Sequence, residues 1–154
     1  MTLTISRSVD VAASADRVWG LVSDLPGMGA FSPENTGGSW QNGATGPAVG
    51  AVFKGSNAQG RKTWSTKSVV TRCEPGAAFA FAVSAAGGLA VAEWSYGLVS
   101  TAEGCTVTET WQDRRGGLVK RVGKLLTGIE DRAAFSAQSI EQTLAAVKAR
   151  AEQS

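Results

Sequence analysis

The sequence predicts an α+β protein: a curved antiparallel sheet of about six or seven strands, its apolar face covered by one long C-terminal helix. Two observations carry this. Between residues 51 and 113 short strand-like runs are separated by tight turns, with no helical pattern among them to make parallel crossovers. From about Ile129 to Ala151, the positions Ile129, Ala133, Ser136, Ile140, Leu144, Val147 and Ala151 recur every three or four residues, a continuous stripe along one helix side. Such a helix is about 34 Å long, enough to cross a whole sheet.

The elements follow in order. Residues Leu3 to Val11 alternate, with Leu3, Ile5, Val9 and Val11 on one face and Thr4, Ser6, Ser8 and Asp10 on the other. Arg7 interrupts the apolar face. Ser14 is placed to cap a helix carrying Asp16 in its first turn and Val18, Trp19, Leu21 and Val22 on its apolar side, and Pro26-Gly27 ends it. A loop-rich stretch from Gly27 to Gly50, with room for a short helix near Met28 to Phe31, leads to strands at Ala51 to Ser56 and Lys62 to Cys73. Glu74-Pro-Gly-Ala77 is a turn, because proline presets one central dihedral and glycine tolerates the next; it returns the chain into Phe79, Phe81 and Val83.

After a break at Ala85 to Gly88, strands Glu93 to Ser100 and Cys105 to Asp113 flank the turn Thr101-Ala-Glu-Gly104. If Ser100 pairs with Cys105, then Leu98 faces Val107, Tyr96 faces Glu109 and Trp94 faces Trp111. Side chains alternate with period two, so these six share one face, and a slip of one residue would turn them all over. Beyond Arg114-Arg-Gly-Gly117, the basic and apolar run Leu118 to Leu126 precedes the final helix.

Composition narrows the function. The 154 residues are 43% hydrophobic and 18% charged, the balance of one folded domain spanning 1–154. A net charge of +2 with no dense cationic face gives no footprint for nucleic acid. The N-terminus lacks the charged-then-apolar pattern of an export signal and no run reaches the length of a membrane span, so the expected location is the cytoplasm. Cys73 and Cys105 lack metal or redox spacing and read as free, buried, small apolar residues. There is no histidine, which removes Ser-His and Cys-His nucleophile pairs and the commonest zinc ligand. No metal and no cofactor is expected.

Several segments carry a resemblance to a known family: Asp16-Arg-Val-Trp-Gly-Leu-Val-Ser-Asp24, Gly50-Ala-Val-Phe-Lys-Gly-Ser-Asn57, Trp64 in the strand that ends at Glu74-Pro-Gly76, Trp94-Ser-Tyr96, and Val107-Thr-Glu-Thr-Trp111. Together, from about Ile5 to Ala151, they resemble the SRPBCC, or START-like, superfamily, in its polyketide cyclase/dehydrase and lipid transport subgroup. The resemblance implies a helix-grip fold with an internal cavity for lipids, polyketides or other hydrophobic molecules. It supplies no catalytic motif, because members bind, transport, sense or cyclise with differing cavity residues.

The candidate site lies between the hairpin face and the helix. Tyr96 and Glu109 form a polar pair among Trp94, Trp111, Leu98 and Val107. Three roles are open to it: a satisfied structural pair, a polar anchor for a ligand, or a catalytic pair in which burial raises the Glu109 pKa for acid/base work while Tyr96 serves a developing oxyanion. Trp64, Trp94 and Trp111 are placed to stack on a flat ligand, and Arg132, Phe135 and Ser136 to close the cavity from the helix. Trp19 reads as helix packing. Arg7 and Arg132 either bind an anionic ligand group from inside or run their stems to the rim. Leu118 and Val122, in a glycine-punctuated segment, are candidate gate residues, and that segment's basic and apolar mixture admits at most peripheral contact with a membrane. The favoured function is a carrier or sensor of a hydrophobic small molecule, acting as monomer or homodimer. A cyclase, aromatase or dehydratase using the same cavity is its rival, and a regulatory module working through a protein partner is a third possibility.

Overall fold

The computed structural model describes residues 3–129 and 131–153. The domain limits expected at 1 and 154, and position 130 of the expected helical segment, lie outside the described residues. Seven strands form one antiparallel sheet: β1 (Thr4–Val11), β2 (Asn35–Trp40), β3 (Val52–Gln59), β4 (Lys62–Glu74), β5 (Ala78–Ser84), β6 (Ala90–Thr101) and β7 (Gly104–Asp113). Their order across the sheet is β1-β7-β6-β5-β4-β3-β2, so every strand after β1 is a hairpin neighbour of the next. Helix α1 (Ala15–Val22), a 3₁₀ turn (Leu25–Ala30), α2 (Gly117–Thr127) and α3 (Arg132–Ala151) complete the chain.

Local chemistry sets the boundaries. Ser14 Oγ accepts from the Arg17 amide at 3.1 Å and caps α1. Pro26 sits inside the 3₁₀ turn, so the chain stays coiled past the end of α1 where the sequence predicts a stop. Strand β2 is the element missing from the sequence-based expectation. Gly37 and Gly38 both have positive φ there, and a Cβ on Gly38 would collide with the Lys54 carbonyl. Close backbone approach demands glycine at this edge, and glycine hides a strand from any propensity pattern. Strand β6 begins at Ala90, three residues before the expected Glu93. Gly128, left-handed at φ 73, ends α2, and Asp131 Oδ1 accepts from the Ala134 amide to start α3, so the long helix begins at Arg132 and not at Ile129. It is about 30 Å long.

The hairpin register matches the alternation: Ser100 faces Cys105, Leu98 faces Val107, Tyr96 faces Glu109 and Trp94 faces Trp111. The glutamate and both residues flanking it along β7 on this face, Val107 and Trp111, are buried, and α3 lies across them. The helix changes character along its length. One row along it, Ile140, Leu144, Val147 and Ala151, is buried in the main core with Val18, Val22 and Phe79. An adjoining row nearer its start, Ser136, Ser139 and Thr143, is buried with short hydroxyl side chains. Short hydroxyl side chains cannot fill the gap that a leucine fills one or two turns on, and this asymmetry leaves space between the layers.

The far end of α3 is fixed firmly. Arg17 of α1 donates to the carbonyls of Ala151, Arg150 and Gln153, satisfying helix-end acceptors with a cation at the negative end of the dipole. Trp19 joins the sheet by donating from its indole to the Ala78 carbonyl at 2.9 Å. Cys73 is half-buried, not fully buried as expected, whereas Cys105 is buried; both are free thiols.

Candidate functional site

A cavity of about 120 Å³ lies between the sheet and the Arg132 to Thr143 stretch of α3, room for roughly four waters or one small ring. Trp64, Phe81, Trp94 and Trp111 supply flat apolar wall, Phe53 and Met28 add to it, and Gly55 and Ala92 keep parts of the sheet surface low. Ser139 and Thr143 form the helix side.

At the buried end stands the polar pair. Tyr96 donates from its hydroxyl to Glu109 Oε2 at 2.9 Å. Glu109 Oε1 is buried and has no partner among the described residues. Burial pushes the Glu109 carboxyl up to about 8, with the Tyr96 hydrogen bond pulling the other way. Burial and then the neighbouring Glu109 hold the Tyr96 phenol well above its ordinary range. At neutral pH both groups are therefore uncharged. An uncharged carboxyl that accepts at Oε2 keeps its proton for Oε1, so the unpartnered atom is a hydrogen-bond donor beside the aromatic wall of the cavity.

Two arginines stand at the half-exposed rim, and each is already matched. Arg132 donates from Nη1 to Glu34 Oε2 at 2.8 Å, and its guanidinium lies 5.3 Å from the centre of the Phe135 ring. Arg115 grips Asp113 through both carboxylate oxygens, at 2.9 and 3.0 Å. Burial pushes the Asp113 carboxyl up, but the Arg115 contacts and the Lys120 charge outweigh it and hold the pKa below the ordinary range.

Of the residues singled out from sequence, Trp64, Trp94, Tyr96, Glu109, Trp111 and Arg132 line the cavity. Leu98 and Val107 do not: they share the face with Tyr96 and Glu109 but are filled over as core. Phe135 and Ser136 also lie outside the lining; Ser136 Oγ is buried without a partner, and Phe135 is half-buried under Arg132. Leu118 and Val122 are absent from the wall, because α2 turns them to solvent at 70% and 41% exposure. Arg7 stands opposite Glu109 in the strand register yet runs to the rim, where Nε meets Glu141 at 3.4 Å, so it leaves the carboxyl unneutralised.

Sequence reasoning missed Ser139 and Thr143, although Ser139 lies three residues after Ser136 and Thr143 four after Ser139, at helical spacing. It missed Phe53, which alternates with Gly55 and Asn57 on β3. Glu34 carries no such signal, since its partner is 98 residues away.

Residues 2–152 match the family described as polyketide cyclase / dehydrase and lipid transport. The chain belongs to that family. A solved Polyketide_cyc-like protein from Corynebacterium glutamicum is 32% identical to this family member over 96% of the chain and 90% of its own, with a TM-score of 0.65. Less similar in sequence are the di-domain ARO/CYC StfQ of the steffimycin biosynthetic pathway and the Aha1 dimer of Colwellia psychrerythraea. StfQ is 15% identical, over 99% of this chain and 51% of that one, at TM-score 0.76. Aha1 is 14% identical, over 97% and 96%, at TM-score 0.66. At these identities the likeness is one of fold, and the family's helix-grip arrangement is what this member shares with them. No curated protein sequence matches it.

Proposed function

We propose that the chain is a single-domain binding protein, a carrier or sensor that holds a hydrophobic small molecule such as a lipid or polyketide in the cavity. The observation that carries this reading is the unpartnered, buried Glu109 Oε1 in a chamber walled by Trp64, Phe81, Trp94 and Trp111 on its sheet side. A buried donor left unmade costs roughly 1–3 kcal/mol, which a ligand oxygen would recover. Trp64, Trp94 and Trp111 offer faces for a flat ring, and the neutral pair at the closed end favours an uncharged oxygen acceptor there over a carboxylate. A sensor and a carrier share this binding step.

A cyclase or dehydratase is the second reading, and the same carboxyl favours it. A proton held at about 8 is available for transfer to a ligand carbonyl oxygen, and the resulting carboxylate can take a proton back from carbon. Tyr96 keeps Oε2 in place through either step.

Native mass spectrometry of the purified protein, followed by organic extraction, tests the proposal. The expected result is a bound apolar molecule that is also retained by the refilled protein, with Trp94→Ala lowering affinity about tenfold. Recovery of the molecule unchanged after incubation supports the carrier, and its conversion to a cyclised or dehydrated product supports the enzyme. Protein that is empty and takes up no neutral naphthylamine dye contradicts both.

A further inference from the structure

Helix α2 has its apolar face on the outside. Leu118, Val122 and Leu125 recur at spacings of four and three and are 70%, 41% and 73% exposed, with Leu126 beside them at 59%. The face that meets the protein is instead Val119, Gly123 and Thr127, small or half-buried, and Lys62 Nζ of β4 ties it down by donating to the Leu125 carbonyl at 2.7 Å. A soluble surface helix normally has the reverse arrangement, so this stripe is unpartnered as it stands.

Charge indicates what covers it. Lys120, Arg121 and Lys124 are all exposed and occupy the arc next to the apolar stripe. From Arg114 to Ile129 the sequence contains Arg114, Arg115, Lys120, Arg121 and Lys124 and no acidic residue, whereas the remainder of the chain is net negative. Arg114 and Arg115 are matched by Glu93 and Asp113. Lys120 lies 4.0 Å from Asp113, which Arg115 already grips, and the other two cations of α2 have no ion pair among the described residues. Pairing two copies through this stripe would bring both cationic arcs together, which disfavours self-association.

We propose that α2 docks the protein on an anionic lipid surface, with Leu118, Val122, Leu125 and Leu126 entering the boundary between headgroups and acyl chains and Lys120, Arg121 and Lys124 lying among the headgroup anions. Apolar stripe and basic arc on one short helix are the two parts of such a contact. No helix among the described residues is long and apolar enough to cross a membrane. The flanking residues Arg115 and Arg132 both line the cavity, so docking brings the rim close to lipid. The inference stands without any assignment of the cavity ligand.

Sedimentation with vesicles tests it, comparing phosphatidylcholine alone with equal parts phosphatidylcholine and phosphatidylglycerol. The wild-type protein is expected to sediment with the mixed vesicles only, and to be released by high salt. Leu118→Ser with Leu125→Ser is expected to abolish sedimentation, and replacing Lys120, Arg121 and Lys124 by Gln to weaken it about fivefold per charge. All these side chains are exposed, so the variants retain the fold, checked by their circular dichroism. Three results overturn the proposal: no sedimentation with either vesicle, sedimentation that persists in the leucine variant, or a dimer that the leucine substitutions dissolve.

Discussion

Glu109→Gln is expected to make the protein more stable at neutral pH, by about 3 kcal/mol at pH 7, and to flatten its stability between pH 5 and 8. The carboxyl ionises at its ordinary 4.5 in the unfolded chain and at about 8 in the folded one. Between those values the folded state holds a proton that the unfolded state has released. Stability therefore falls as pH rises, by about 1.4 kcal/mol per unit, until the folded group also ionises. Glutamine has nearly the same shape, its carbonyl can still accept from Tyr96, and it has no proton to lose. The other shifted groups act outside this window: Asp113 and Glu152, both lowered, matter on the acid side, while Tyr96 and Cys105, both raised, matter above it. Urea titrations of both proteins at several pH values check this. Parallel stability curves would contradict a neutral Glu109. A residue that destabilises its own fold at physiological pH is better explained by a ligand than by packing.

Trp111→Ala is the other large effect, a loss of about 3–5 kcal/mol of folding stability. Trp111 is 2% exposed and sits between Ile5 on β1 and Trp94 on β6 in the register. Its removal leaves a void at the junction of sheet core and cavity, where neither α3 nor the neighbouring strands can collapse without breaking their own pairing. The total stability of a domain of this size is about 5–15 kcal/mol, so the variant is expected to lose a large fraction of it and to unfold at a much lower urea concentration. Trp94→Ala, on the same face but half-buried, is expected to cost less than half as much and to act mainly on ligand affinity. Urea midpoints with unchanged slope distinguish the two variants. A cost below about 1 kcal/mol for Trp111→Ala would mean that the cavity wall collapses freely.

What could be read from sequence depended on whether a residue's role is local or periodic. The Tyr96–Glu109 pairing followed from a short turn and strict alternation, because one hairpin fixes its own register. The α3 stripe followed from helical spacing alone. Strand β2 was not legible, since its glycines satisfy close approach to β3 and carry no side-chain pattern. Ser136 is buried on the stripe that its spacing predicts, yet neither it nor Phe135 lines the cavity, because periodicity gives the face of a helix and not which residues on that face meet a gap. The orientation of α2 was hidden as well: its apolar residues show helical spacing, but sequence alone does not reveal that the stripe faces away from the core.

Whether the buried carboxyl is neutral inside the cavity is tested most directly by carbon-13 NMR titration of the Glu109 side-chain carboxyl, with Glu109→Gln used to assign the signal. The expected midpoint in the ligand-free protein is near 8. A midpoint in the ordinary carboxylate range, near 4.5, would show a charged and hydrated group, and would contradict both the donor at Oε1 and the site built around it.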